Sequence, residues 1–397
     1  MNGKKIKIHP KHLFPIFLLI LSFSVIFIPI NLNTAKNENI TKDSNPYPSQ
    51  TFTDSPPIKI SSDSDFLSHG FPGTGSVEDP YRIENLKIKT LDLASKPDGI
   101  MIQNVSKSFI IQNCRIWAPY AIKISSCSSN SIQLINNWCK GGGNTEPMDI
   151  GILVGGIKAH AFKAINNTCL NNWDGMNINS ALYSVIENNT LTRNHIGLRV
   201  ESNISFSRVI HNYYMNNYDG MWISNSIDVF VKNNYIYNNV VGIFADSTSF
   251  DTPFEDCRIV DNLFDNNTSY AIILRYPSSI KNHIYRNTII NNNKNGGSQA
   301  KDEGQNNLWY NESLKEGNYW SNWVGFGSYH IDGSANSIDP YPLEKPLQST
   351  FSNSPFLFLG RLILIILLIS ITSGISIAMI VISEFYLKKR QKRINIK

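Results

Sequence analysis

An asparagine-centred phrase recurs eight times between Ser108 and Asn295, and nothing else in the chain limits its fold so strongly. The anchors are Asn113, Asn137, Asn167, Asn188, Asn212, Asn233, Asn262 and Asn287, spaced by 24, 30, 21, 24, 21, 29 and 25 residues. An apolar or aromatic residue stands two before each. A second Asn follows in most units (Asn172, Asn194, Asn217, Asn238, Asn267, Asn292). Then comes Gly or Ala (Gly175, Gly197, Gly220, Gly242, Ala271, Gly296). A period of this size, repeated this often, marks a solenoid whose units bury their apolar side against one another.

The units are too short, and too rich in β-branched and aromatic residues, for helical pairs. Gly242-Ile-Phe-Ala-Asp246 alternates with period two, as strands do. Asn and Gly both accept a left-handed backbone, so they turn the chain at low steric cost. Stacked Asn amides can also hydrogen-bond up a column, satisfying buried backbone at the bends. The pattern predicts an all-β fold, a parallel β-helix of ten or so coils, roughly 50 Å long at about 4.8 Å per coil. Longer turns are expected at Gly141-Gly142-Gly143 and from Thr248 to Glu255.

The ends set the compartment. Lys4, Lys5, Lys7 and Lys11 precede an apolar run from Leu13 to Leu32, the pattern of a signal peptide or signal anchor. Leu362 to Ile382 is 21 residues without a charge, enough to cross a bilayer core of about 30 Å as a helix. Lys388, Lys389, Arg390, Lys392, Arg393 and Lys397 follow and place the tail on the cytoplasmic side. Setting aside those four lysines, those six basic residues and Glu384 leaves 26 Lys plus Arg against 30 Asp plus Glu. The bulk is thus mildly acidic, with no basic stripe for nucleic acid. The expected organisation is a signal segment (1–35), a flexible stalk (36–59), a β-helix with its N-terminal cap (60–310) and a C-terminal cap (311–343). A spacer (344–361), a transmembrane helix (362–382) and a basic tail (383–397) complete it. Of five cysteines, Cys139 and Cys169 each sit two after an anchor and should be neighbours, as a disulfide or as two thiols; none has metal spacing.

Two flanking stretches carry a resemblance. Gly70-Phe-Pro-Gly-Thr-Gly75 with Glu78-Asp-Pro-Tyr-Arg-Ile-Glu-Asn85 resembles the opening of archaeal-type right-handed β-helix proteins. Asn318-Tyr-Trp-Ser-Asn-Trp323 and Ser334-Ala-Asn-Ser-Ile-Asp-Pro-Tyr-Pro-Leu343 resemble their closing segment. That group is similar to NosD, a periplasmic protein of nitrous oxide reductase copper maturation. It is also grouped with carbohydrate-binding proteins and sugar hydrolases. The resemblance implies a right-handed parallel β-helix from about Ile60 to Leu343 and no single activity. Physically both flanks suit caps over exposed strand edges, with Pro80, Trp320, Trp323, Tyr329 and Tyr341 covering them.

Alternation then selects a candidate face. Met176, Leu198, Met221, Ile243 and Ile272 should point inward, as should Ile178, Val200, Ile223, Ala245 and Leu274. Asn177, Arg199, Glu201, Trp222, Phe244, Asp246 and Arg275 should point outward. Aromatic rings beside carboxylates and arginine suit a sugar chain, so a polysaccharide, a surface glycan or an envelope protein is the expected partner. Trp173-Asp174, His195 and Tyr218-Asp219 fall at matching turns. Asp174 and Asp219, two coils or about 9.6 Å apart, approach the carboxylate spacing of inverting glycosidases. With Glu201 they are the catalytic candidates for a hydrolase or lyase; the plainer role of each Asp is to cap its turn. Copper would need grouped His, Cys and Met. Met176 and Met221 point inward and the histidines lie in different columns, so neither a metal nor another cofactor is expected; the resemblance implies, as a third function beside binding and catalysis, a NosD-like periplasmic copper-maturation or transport accessory.

Overall fold

A computed structural model describes residues 51–347 apart from 92–94, 96, 143–148, 158–161 and 248–250. Three parallel sheets of eleven, ten and nine strands run side by side along these residues. One coil visits each in turn. Arg208–Ile210 lies in the nine-stranded sheet, Tyr213–Met215 in the eleven-stranded sheet and Asp219–Ile223 in the ten-stranded sheet. The next coil repeats the path in register, with Arg208 opposite Phe230, Tyr213 opposite Tyr235 and Asp219 opposite Val241. This is the parallel β-solenoid that the repeat demanded.

The core follows from the alternation. Ile152, Met176, Leu198, Met221, Ile243 and Ile272 stack as one register column, and all six are fully buried. Each such side chain contributes about 1.5–3 kcal/mol through burial. Glycines hold the coils close. A Cβ on Gly197 would lie 2.4 Å from the Gly220 carbonyl oxygen, and one on Gly175 would lie 2.6 Å from that of Gly197. These two glycines do not take a left-handed backbone, so the expected turn role is corrected. They are needed for close approach of successive coils.

Asparagine does two jobs at each corner. Asn188, Asn233 and Asn238 take positive φ (55°, 52° and 54°). The residues after them, Asn189, Asn234 and Asn239, tuck inward and form the hydrogen-bonded columns. Asn113 likewise is left-handed (φ 55°), and Cys114 takes the inward place, its N–H donating to Asn137 Oδ1 at 3.0 Å. The anchors Asn113, Asn188 and Asn233 and the second-column Asn238 are therefore each one residue too early. In the corrected column Asn189 donates through its backbone N–H and Nδ2 to Asn212 Oδ1, both at 2.9 Å. Asn212 does the same to Asn234 Oδ1 at 2.9 and 3.0 Å.

The solenoid begins before the expected boundary at residue 60. Thr53–Asp54 pairs with Leu86 and Lys87, and Ile58–Ile60 pairs with Ile100 to Ile102, so these residues are coil and not stalk. Phe66, on the short helix Asp63–Ser68, closes this end by stacking on Tyr81 at 4.6 Å. At the other end Trp320 stacks on Tyr329 at 4.1 Å and donates to Asp339 Oδ2 at 2.9 Å. Trp323 packs at the core's edge, whereas Tyr341 stays 37% exposed and meets Tyr310 edge-on. Cys139 and Cys169 face each other across adjacent strands as free, buried thiols.

The segments 1–35 and 362–382, the basic tail and most of the spacer lie outside the described residues. Among the described residues no helix is long and apolar enough to cross a membrane.

Candidate functional site on the ten-stranded sheet

The corner between the eleven- and ten-stranded sheets builds the site. Asn172, Asn194 and Asn217 form the amide column there, with Asn172 N–H donating to Asn194 Oδ1 at 3.0 Å and Asn194 N–H donating to Asn217 Oδ1 at 2.9 Å. The next residue of each coil is thereby fixed in register, and those residues are Trp173, His195 and Tyr218. Their rings stack, at 4.1 Å between Trp173 and His195 and 5.0 Å between His195 and Tyr218. Tyr218 ends this stack and is 53% exposed.

One residue further on, Asp174 and Asp219 begin their strands, with Ile196 between them in register. Both are almost wholly buried, at 3% and 6% exposure. Asp174 is held. Arg199 Nε donates to it at 3.0 Å and Asn177 Nδ2 at 2.9 Å. Burial pushes its carboxyl above the usual range, and Arg199 opposes that rise. Asp219 accepts no side-chain or backbone hydrogen bond among the described residues, and burial lifts it to about 6, with only the charge of Arg199 opposing. Neither carboxyl is hydrogen-bonded to its own turn's backbone, so neither acts as the turn cap that its place before glycine suggested. His195 Nδ1 is buried without a partner among the described residues, and burial, then Arg199, lowers its pKa.

Arg199 is the hub. Its guanidinium binds Asp174, reaches Glu201 Oε1 at 3.2 Å and lies over the Trp222 ring at 4.7 Å. Trp222 meets Phe244 edge-on at 5.5 Å, and Arg275 lies over Phe244 at 5.4 Å. Arg275 also approaches Asp246 at 3.7 Å, and burial raises the Asp246 carboxyl against that attraction. The ring faces expected to cover sugars are thus partly taken by guanidinium groups, which leaves Tyr218 as the more open aromatic surface. Asn177, expected on the outer face, is buried within this polar network.

Copper needs converging soft donors, and the described residues do not supply them. No three of His, Cys, Asp and Glu among them gather into a metal-binding group. Met176 and Met221 are fully enclosed in the core. Burial raises the Cys127, Cys139 and Cys257 thiols and pushes Cys114 up to about 12, which disfavours the thiolate that binds metal.

Sequence reasoning missed a second outward surface. On the eleven-stranded sheet Trp117 packs on Trp138 at 4.8 Å, and Tyr235 stacks on Tyr237 at 5.7 Å with Tyr213 edge-on at 6.3 Å. The signal was present one or three residues after some of the inward corner residues, as in Trp138 after Asn137, Tyr213 after Asn212, and Tyr235 and Tyr237 after Asn234.

The model of the family described as periplasmic copper-binding protein (NosD) matches residues 58–273. Among the similar solved structures are two epimerases. The A-module of Azotobacter vinelandii mannuronan C-5 epimerase AlgE6 shares 14% identity over 58% of this chain and 72% of that chain, with a TM-score of 0.39. A double mutant of the periplasmic alginate epimerase AlgG shares 12% identity over 77% of each chain, with a TM-score of 0.32. No curated protein matches the sequence.

Proposed function

The chain belongs to the periplasmic copper-binding (NosD) family, and from that premise we infer that it is an envelope β-helix that binds glycans on its ten-stranded sheet. One observation carries this reading. A nearly buried carboxyl with no hydrogen-bond partner among the described residues, Asp219, lies on the strand next to a guanidinium fixed by Asp174 and Glu201, beside a ring stack ending in exposed Tyr218. Sugar hydroxyls pair with such carboxyl and guanidinium groups, and an apolar sugar face can rest on the tyrosine ring. Beside it His195 Nδ1 is buried without a partner among the described residues, and a buried polar atom left so is costly unless a ligand completes it. The described donors do not fit the copper of the family's description, so copper has no part in the reading.

The solenoid works outside the cytoplasm, as the family's periplasmic description suggests. The uncharged stretch from Leu362 to Ile382 tethers it to the membrane, with the basic tail inside. A glycan array probed with the full chain tests the binding face. Binding that Tyr218→Ala and Asp219→Asn both abolish supports it; binding that neither variant changes rejects it.

Asp219 also favours a second reading, hydrolysis or lysis of the bound chain. A carboxyl lifted to about 6 can give up a proton near neutral pH. The opposing carboxylate is less apt, because Asp174 is bound to Arg199. Reducing-sugar or unsaturated-sugar release that Asp219→Asn removes would establish this activity.

A further inference from the structure

The loop after the last strand of the eleven-stranded sheet has a composition that solvent does not favour. Asn322-Trp-Val-Gly-Phe-Gly-Ser328 carries no charge. Trp323 is pinned at its base: its N–H donates to the Trp320 carbonyl at 3.1 Å and its Nε1 to the Gly327 carbonyl at 3.1 Å. The indole also packs against the edge of the core. Between these fixed points Val324 and Phe326 are held outward. They are 74% and 78% exposed, the two highest values among the large apolar side chains described. Gly325 (φ 89°) and Gly327 (φ 70°) alternate with them and have open space around them. A turn that only had to close the coil would carry polar residues at these tips.

The place of the loop supplies its partner. It belongs to the C-terminal cap, and Leu343 N–H donates to the Asn318 carbonyl in that same cap. The described chain ends at residue 347. Residues 348–361 then lead directly into the uncharged stretch from Leu362 to Ile382. Fourteen residues span at most about 50 Å, so a membrane tether keeps this end of the solenoid within that distance of the lipid.

We propose that the Trp323–Gly327 loop rests in the headgroup boundary of the bilayer, with Val324 and Phe326 inserted and Trp323 at the interface. Tryptophan favours that depth, and exposed apolar side chains gain by entering it. The loop thereby orients the solenoid on its tether. This inference rests on the tether reading given above. Having no charge of its own, the loop needs no anionic lipid.

The test uses the full chain reconstituted in phosphatidylcholine vesicles, with bromine at defined depths on the acyl chains. The emission of Trp323 is taken as the difference between wild type and Trp323→Phe. Loss of that emission with shallow bromine supports the proposal, provided that Val324→Ser/Phe326→Ser restores it while the chain still floats with the vesicles. A floating chain whose Trp323 emission is unquenched overturns the loop contact and leaves the tether standing. A chain that does not float overturns the tether reading and the loop contact with it. Quenching that requires anionic lipid overturns the apolar mode. A detergent-solubilised dimer that the double Ser variant dissolves assigns the loop to a second copy instead.

Discussion

Replacing Asp219 by Asn should stabilise the protein at high pH and not at low pH. Burial moves the Asp219 carboxyl from 3.8 to about 6, and its charged form has only Arg199 to attract it. That difference corresponds to a penalty on the order of 3 kcal/mol when the folded protein must hold the group ionised. The sign follows from proton binding. Between about pH 4 and pH 6 the folded chain keeps a proton that the unfolded chain has already released. Stability therefore falls as pH rises through that window, and the whole penalty is present above it. The amide of the Asp219→Asn variant cannot ionise, but it lacks partners in the site, at a cost of about 1–2 kcal/mol. The net expectation is a gain of about 1–2 kcal/mol at about pH 8, and no gain or a slight loss at about pH 4. Urea denaturation of the purified chain, followed by circular dichroism at both pH values, measures this. An equal effect at both pH values, or a loss of stability at about pH 8, would refute the burial argument. If the carboxyl is kept for ligand binding, the stabilised variant should also bind less.

Arg199→Ala should destabilise by about 3–5 kcal/mol, because it leaves the nearly buried Asp174 charge without its partner; Arg199→Lys should restore little, since a lysine cannot reproduce the fork to Asp174 and Glu201. Urea midpoints for both variants decide this, and a midpoint like wild type in Arg199→Ala would count against the hub. Asn212→Ala interrupts the inner column, leaving the Asn189 N–H and one of its two amide hydrogens without their acceptor and removing the donor to the Ile186 carbonyl, while Asn189 Nδ2 keeps its bond to the Ala164 carbonyl; each buried donor left unpaired costs about 1–3 kcal/mol. The same change at exposed Asn216, which is left-handed, should cost less than about 2 kcal/mol. Thermal unfolding separates the two. The buried thiols, with Cys114 at about 12, should ignore a maleimide in the native protein and react only after unfolding; rapid native labelling of Cys114 would contradict its burial.

The solenoid was legible in the sequence because its physics is periodic. Apolar residues at period two, interrupted every twenty to thirty positions by turn formers, have few other ways to bury their faces. Register was harder. In Asn188-Asn189 and Asn233-Asn234 both positions favour asparagine, for different reasons. The first needs a left-handed backbone and the second an amide that both donates and accepts, and composition alone does not separate them. The glycines misled in the same way, since a collision with the next coil's carbonyl is a long-range constraint that no local pattern displays.

The register column of Asn177, Arg199, Trp222 and Phe244 could be read from alternation, but not the burial of Asn177 in it. The use that Arg199 makes of its neighbours could not, because its reach to Asp174 and its place over Trp222 depend on side-chain conformation across three coils. The aromatic pairs Trp117–Trp138 and Tyr213–Tyr235 are not periodic, because Thr168 and Thr190 hold the same register column between Trp138 and Tyr213, so the repeat gives no sign of them.

That second surface gives the account its sharpest test. Hydrogen exchange of the full chain, with and without a glycan identified on the array, should show protection gathered on Asp174–Ile178, Ile196–Val200 and Asp219–Ile223. Protection confined to Trp138–Lys140, Tyr213–Met215 and Tyr235–Tyr237 would move the binding face to the other sheet and contradict the assignment.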